Sequence, residues 1–144
     1  MKTRILAGLL STTALTLVLM VQSRIVHAAA VTLSWSYDYS VDPGCTTTLT
    51  KNCVTGFEYG TTPDGGVTLN KIGTVANPTP VPTTLTSGIS VAFKQGPPYG
   101  SVVYYARATG SDGNGSPVYS SAAVATSVQI NPGQPQSVTV SSVK

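Results

Sequence analysis

Residues 31–40 (VTLSWSYDYS) carry a hydrophobic or aromatic side chain at every second position. Successive side chains of a β-strand point to opposite faces of the sheet, so this alternation predicts a strand with one buried face. A strand of this kind is stable only where its apolar face covers a core. The buried positions are Val31, Leu33, Trp35, Tyr37 and Tyr39, and the positions between them are Thr32, Ser34, Ser36, Asp38 and Ser40.

The remaining chain favours more short strands joined by turns. Only 9% of the 144 residues are charged, while glycine (14) and proline (10) are frequent. Such a composition disfavours helices and is typical of all-β domains. We predict further strands over 54–62, 67–75, 83–93, 101–109 and 118–130, with turn-forming residues between them, and therefore an all-β fold of two packed antiparallel sheets, a β-sandwich.

The first 28 residues have the pattern of a secretory signal peptide. Lys2 and Arg4 precede an apolar run over 5–21, and small residues follow a short polar stretch. We expect cleavage after Ala28, with Ala30 as an alternative site. An uncleaved membrane anchor is the other interpretation, although the run is at the short limit for a membrane span. The expected location is extracellular or at the cell surface, with no membrane insertion after cleavage.

The charge of the remainder excludes one class of partner. Residues 29–144 contain as many basic as acidic side chains, so the net charge of +3 belongs to the predicted signal peptide. No basic patch remains to neutralise phosphates, and we expect no nucleic-acid binding. The basic residues are Lys51, Lys71, Lys94, Arg107 and Lys144, and the acidic residues are Asp38, Asp42, Glu58, Asp64 and Asp112.

The two cysteines, Cys45 and Cys53, enclose a short loop between two predicted strands. Export permits disulfides, and a bridge across so short a loop contributes about 2–3 kcal/mol on the loop-entropy model. A zinc site would need two more ligands, and a redox pair favours a C-x-x-C spacing. We therefore predict a structural disulfide.

Few residues could carry out catalysis. The single histidine lies in the predicted signal peptide, which removes Ser-His-Asp and Cys-His nucleophiles, and the carboxylates are scattered. We expect no enzymatic activity, no cofactor and no metal. Asp112 and Asn114 begin a spacing seen in calcium loops, but a glycine-rich hairpin turn is the simpler interpretation.

The order and spacing of these strands resemble a fibronectin type III domain over about residues 30–131. VTLSW resembles the strand B of that family, with Trp35 as its core tryptophan. Val54 and Phe57 take the places of the Ile/Val and aromatic residue of strand C. The segment 93–99 (FKQGPPY) resembles the corner of that family that ends in a tyrosine, which would be Tyr99. We thus assign residues 29–131 to the domain and 132–144 to a C-terminal tail.

The sequence departs from this family at two places. Tyr99 and Ala108 are about three residues too far apart, which indicates an insertion after the corner or a misplaced corner. Strand A is missing, because the predicted signal peptide occupies its place. The tail has the V-x-V pattern of such a strand at Val138 and Val140. It could complement the next copy of the chain, pair with its own edge or fray, or begin a truncated second domain.

The resemblance implies a non-enzymatic protein-interaction or adhesion module. Tyr37, Tyr39, Asp112 and Asn114 form a candidate binding surface at the loop end, although the simpler interpretation of the two tyrosines is that they cover the edge of the core. The expected partner is a protein or another extracellular ligand. The alternatives are a self-assembling fibre subunit that donates its tail, and an accessory carbohydrate-binding module.

Overall fold

The computed structural model of the chain describes residues 28–96, 98–140 and Val143, with Ser87 described by its backbone alone. The predicted signal peptide, except for Ala28, lies outside the described residues. In the described part no helical segment has the length and hydropathy of a membrane span. All regular elements described are strands, which confirms the all-β prediction: β1 (Ala29–Asp38), β2 (Cys53–Thr61), β3 (Asn70–Ala76), β4 (Leu85–Gln95), β5 (Gly100–Val102), β6 (Tyr104–Ser111), β7 (Pro117–Tyr119), β8 (Ala123–Val124), β9 (Val128–Ile130) and β10 (Gln136–Thr139).

Two larger sheets form the sandwich. One has the order β10-β1-β4, and the other has the order β3-β2-β6-β7, with β8 also paired to β6. Strands β5 and β9 form a separate two-stranded ribbon. All pairings between these strands are antiparallel except that of β1 with β10.

Aromatic side chains join the two sheets across the core. The ring centroids of Trp35 in β1 and Phe57 in β2 lie 5.5 Å apart. Phe93 in β4 contacts Tyr59 in β2 and Tyr104 in β6 at centroid distances of 5.3 and 5.8 Å. These edge-on and tilted contacts are the arrangements that aromatic pairs prefer. Both side chains are buried, which confirms the inward direction predicted for Trp35, while the roles of Trp35 and Phe57 as family core residues stay predictions.

The alternation in residues 31–39 is confirmed, because every predicted inward side chain of β1 is buried and so is that of Tyr39, which follows the strand. The predicted strand over 118–130 is wrong, since this stretch forms β7, β8 and β9. The Ser120 hydroxyl accepts the Ala108 N–H at 2.9 Å, in place of a backbone carbonyl, and this interrupts the ladder beside β6. Residues 128–130 then leave β6 and pair with β5.

The strand predicted over 101–109 is divided at Val103, whose carbonyl accepts the Thr62 N–H outside the ladder. The three residues that follow Tyr99 form β5, and β6 begins only at Tyr104. Strand β5 therefore lies between Tyr99 and the strand that contains Ala108, and whether it is an insertion relative to the family stays a prediction. Tyr99 is half-buried against the core, and its role as a family corner residue stays a prediction.

The strand predicted over 67–75 begins only at Asn70, because residues 62–69 form a loop around Asp64. The Asp64 carboxylate accepts the Thr68 N–H at 2.7 Å and the Thr62 hydroxyl at 3.0 Å. These local bonds compete with the strand ladder.

The C-terminal tail lies on the edge of its own domain. Strand β10 pairs with β1 in parallel, with Val31 opposite Gln136 and Ser34 opposite Thr139. Val138, Val140 and Val143 are all buried in the core. Of the alternatives given for the tail, the structure therefore shows the one in which the tail pairs with the edge of its own domain. This is the edge at which the resemblance predicts a missing first strand.

Candidate functional site

A cleft of about 470 Å³ opens between the disulfide-bonded loop and the β6–β7 hairpin. The loop joins β1 to β2, so the cleft lies at the end of the sandwich where β1 ends and β2 begins. Its lining mixes polar and apolar side chains. The polar residues include Tyr37, Asp42, Asn52, Ser111, Asp112 and Ser120, and the apolar residues include Val54, Ala108 and Val118.

The disulfide shapes one wall of the cleft. Strand β1 ends at Asp38, and Pro43 lies in the loop that follows it. Cys45 is bonded to Cys53, which confirms the predicted bridge, and the described residues contain no free cysteine. Such a bonded pair is compatible with an extracellular location. The Val54 N–H donates to the Pro43 carbonyl at 2.9 Å, which holds the returning chain against the loop.

Asp112 shapes the opposite wall. One oxygen of its carboxylate, Oδ1, accepts the backbone N–H groups of Asn114 and Ser116, each at 2.8 Å. Its carbonyl accepts the Asn52 N–H at 3.3 Å and so joins the hairpin to the disulfide loop. The carboxylate therefore caps a tight turn, which favours the hairpin interpretation over the calcium loop. Among the described residues, no group of three potential ligands could hold a metal ion.

The two candidate tyrosines are buried, which favours the covered-edge alternative over an exposed surface. Their relative exposures are 3% for Tyr37 and 2% for Tyr39. The Tyr37 hydroxyl donates to Asp42 at 3.4 Å, and the Tyr39 hydroxyl donates to Asn77 at 3.0 Å. Burial and the nearby negative charge of Asp42 raise the pKa of Tyr37, and burial raises the pKa of Tyr39 to about 12.

The structure brings together only part of the predicted surface. Tyr37 and Asp112 line the cleft, whereas Tyr39 packs in the core and Asn114 is exposed on the hairpin. Sequence reasoning missed Asn52, Val118 and Ser120 as lining residues. No local pattern marks them, because their proximity depends on the pairing of β2 with β6 and of β6 with β7.

A second cluster surrounds Glu58, whose outward side chain is only 5% exposed. Its carboxylate accepts the Tyr105 hydroxyl at 2.9 Å and pairs with Arg107 at 2.8 Å and with Lys71 at 3.5 Å. The Tyr105 ring lies so close to Gly60 that a β-carbon there would come within 2.8 Å of it. The Arg107 guanidinium also stacks on the exposed Tyr119 ring at 4.2 Å, beside the cleft.

We expect this cluster to make the free energy of unfolding decrease as the pH falls into the acid range. Burial alone would raise the pKa of Glu58, but the Tyr105 hydrogen bond and the charges of Arg107 and Lys71 outweigh it and lower the pKa. A lowered folded-state pKa stabilises the fold fully above the unfolded-state value and loses that effect as pH falls through the folded-state value. The Glu58→Gln variant should therefore be about 1–3 kcal/mol less stable in urea at pH 7.

The same comparison at pH 3 should show a smaller difference between the two proteins. Asp38 and Asp64 also have lowered pKa values, because of hydrogen bonds from Ser40 and Thr68, but both proteins contain them. Subtracting the two pH profiles therefore isolates Glu58. A difference that stays constant from pH 7 to pH 3 would contradict the assignment.

Comparison of the chain with protein-family models, with curated proteins and with solved structures found no match.

Proposed function

We propose that this chain is a secreted, non-enzymatic interaction module of the fibronectin type III kind, which binds an extracellular protein through the cleft. The observation that carries the proposal is the cleft itself, which lies between the disulfide-bonded loop and the β6–β7 hairpin. Concave sites with a few polar groups on an apolar lining are the usual places for ligands. Loop ends of sandwiches often carry binding residues.

The strand order supports the family part of the proposal. Strands β1 and β4 share one sheet, while β3, β2, β6 and β7 follow one another in the other. This order is compatible with the resemblance to the family, with β10 at the edge of β1 where a first strand would pair. The buried Trp35 and Phe57 also fit the family's core positions.

The chemistry of the lining supports a ligand that presents hydrogen-bond donors. Asp42 and Asp112 are carboxylates, and no lining residue is basic. Val118 and Tyr119 are 44% and 54% exposed beside them and offer apolar contact. A peptide segment with amide or ammonium groups and one apolar side chain satisfies both features.

The proposal is tested with an immobilised array of synthetic peptides, probed with the native protein and two variants. Val118→Arg introduces a long charged side chain at the cleft and should weaken binding to selected peptides at least tenfold. Val67→Arg is the matched control, because Val67 is 85% exposed in the loop after β2, at the other end of that strand. It should bind as the native protein does.

Three outcomes would count against the proposal. If both variants weakened binding equally, the ligand would bind outside the cleft. Absence of any selected peptide would contradict a peptide ligand. Binding to an oligosaccharide array instead, lost in Val118→Arg alone, would replace the protein partner with a carbohydrate.

A further inference from the structure

The tail is joined to the rest of the domain by an exposed connection with few hydrogen bonds. Residues 131–135 before it are all exposed and contain Pro132, Pro135 and Gly133, which has a φ of 68°. The described contacts within this connection include a single turn bond, from the Gln134 N–H to the Asn131 carbonyl at 3.4 Å. Proline and glycine at these positions interrupt the strand pattern and separate the tail from β9.

The pairing of the tail with β1 is also short. Only four residues of β1, Val31–Ser34, pair in register with β10, whereas the pairing of β1 with β4 extends from Ala29 to Asp38. Beyond Thr139 the Val140 N–H donates to Ser34 at 2.9 Å and the Val143 N–H to Ser36 at 3.1 Å, and Val140 also forms an antiparallel bridge with Ala125. Parallel pairing is slightly less stable per residue than antiparallel pairing.

Detachment of the tail therefore requires less unfolding than detachment of β1, β2 or β6. Segments with few backbone bonds and an exposed connection open locally before the whole domain unfolds. The open form leaves two complementary surfaces, the apolar edge of β1 and a tail that carries Val138, Val140 and Val143. An unpaired strand edge of this kind binds another strand readily.

We propose that the tail exchanges between copies, so that β10 of one chain pairs with β1 of a second copy. The partner's tail has the same sequence, so it can make the same parallel pairing and bury the same valines. The exchanged assembly therefore retains the pairing of β10 with β1. This inference does not depend on the ligand of the cleft, and it gives the chain a means of self-association without a separate interface.

Cysteine cross-linking between differently labelled chains tests the exchange. Thr32 and Ser137 are exposed and are direct partners in the register of β1 and β10. A Thr32→Cys chain mixed with a Ser137→Cys chain, held at high concentration and then oxidised, should form a disulfide-linked heterodimer. Thr74 is exposed on β3 in the other sheet. Thr32→Cys mixed with Thr74→Cys therefore measures cross-linking by random collision, and we expect a yield at least tenfold lower.

A chain that carries both Thr32→Cys and Ser137→Cys is the second control. It should cross-link internally when dilute, which shows that the pair can form a disulfide. If it does so while the mixed chains give no more heterodimer than the Thr74→Cys mixture, exchange is overturned. If the double variant fails to cross-link at all, the pairing on which the proposal rests is overturned.

Discussion

Replacement of Val138 and Val140 by aspartate should lower the free energy of unfolding by about 5 kcal/mol, because it detaches the tail from the core. The two valines and Val143 are buried, and burial of one such side chain contributes roughly 1.5–3 kcal/mol. Isolated carboxylates cannot replace them there at neutral pH. Since domains are stable by only about 5–15 kcal/mol, much of the doubly substituted protein should be unfolded in urea concentrations that the native protein tolerates.

The matched control changes the two neighbours that face solvent. Ser137 and Thr139 are exposed on the same strand, so Ser137→Asp with Thr139→Asp adds the same charge without removing apolar contacts. Surface changes of this kind usually alter stability by no more than about 0.5 kcal/mol. Urea denaturation followed by tryptophan fluorescence measures both. Equal losses in the two variants would show that charge, and not burial, is responsible.

Replacement of Phe57 by alanine should lower the free energy of unfolding by about 3–5 kcal/mol. The ring is completely buried, and its centroid lies 5.5 Å from that of Trp35, 5.2 Å from that of Tyr37 and 6.4 Å from that of Tyr39. Phe57 therefore contacts three successive inward side chains, two in β1 and the third, Tyr39, just after it. Its removal leaves a cavity that rigid rings cannot fill by small shifts.

The control for this variant is Ile72→Ala, in the neighbouring strand β3, where the side chain is 42% exposed. We expect a loss below about 1 kcal/mol there, because the side chain already contacts solvent. Thermal or urea denaturation would measure both. A loss for Phe57→Ala no greater than for Ile72→Ala would contradict the role of Phe57 at the centre of the sandwich.

The burial of Tyr37 and Tyr39 limits which variants can test binding. Tyr37 and Tyr39 contact Phe57 in the core, so alanine at these positions would destabilise the fold as well as change any ligand site. Variants at exposed lining positions such as Val118 avoid this problem. The aromatic pair is therefore a feature of stability, and the cleft beside it is the feature to test for binding.

The charged cluster illustrates what periodicity alone leaves open. Glu58 lies between two inward aromatic residues, Phe57 and Tyr59, so its outward direction could be predicted. Its burial could not, because the partner side chains of Tyr105 and Arg107 lie 47 and 49 positions away in the chain. Only the register of β2 with β6 brings them together.

The all-β class, the inward face of residues 31–39 and the disulfide could be predicted from local patterns, because each depends on side chains that are close in the chain. The direction of the tail and the position of the cleft depend instead on how distant strands pair. A V-x-V pattern has the same period in parallel and antiparallel strands, so the direction of the tail depends on which edge is unpaired. The cleft, likewise, exists because the disulfide loop and the β6–β7 hairpin, more than fifty residues apart, meet at one end of the sandwich. Such contacts are set by the pairing of distant strands, which local patterns do not encode.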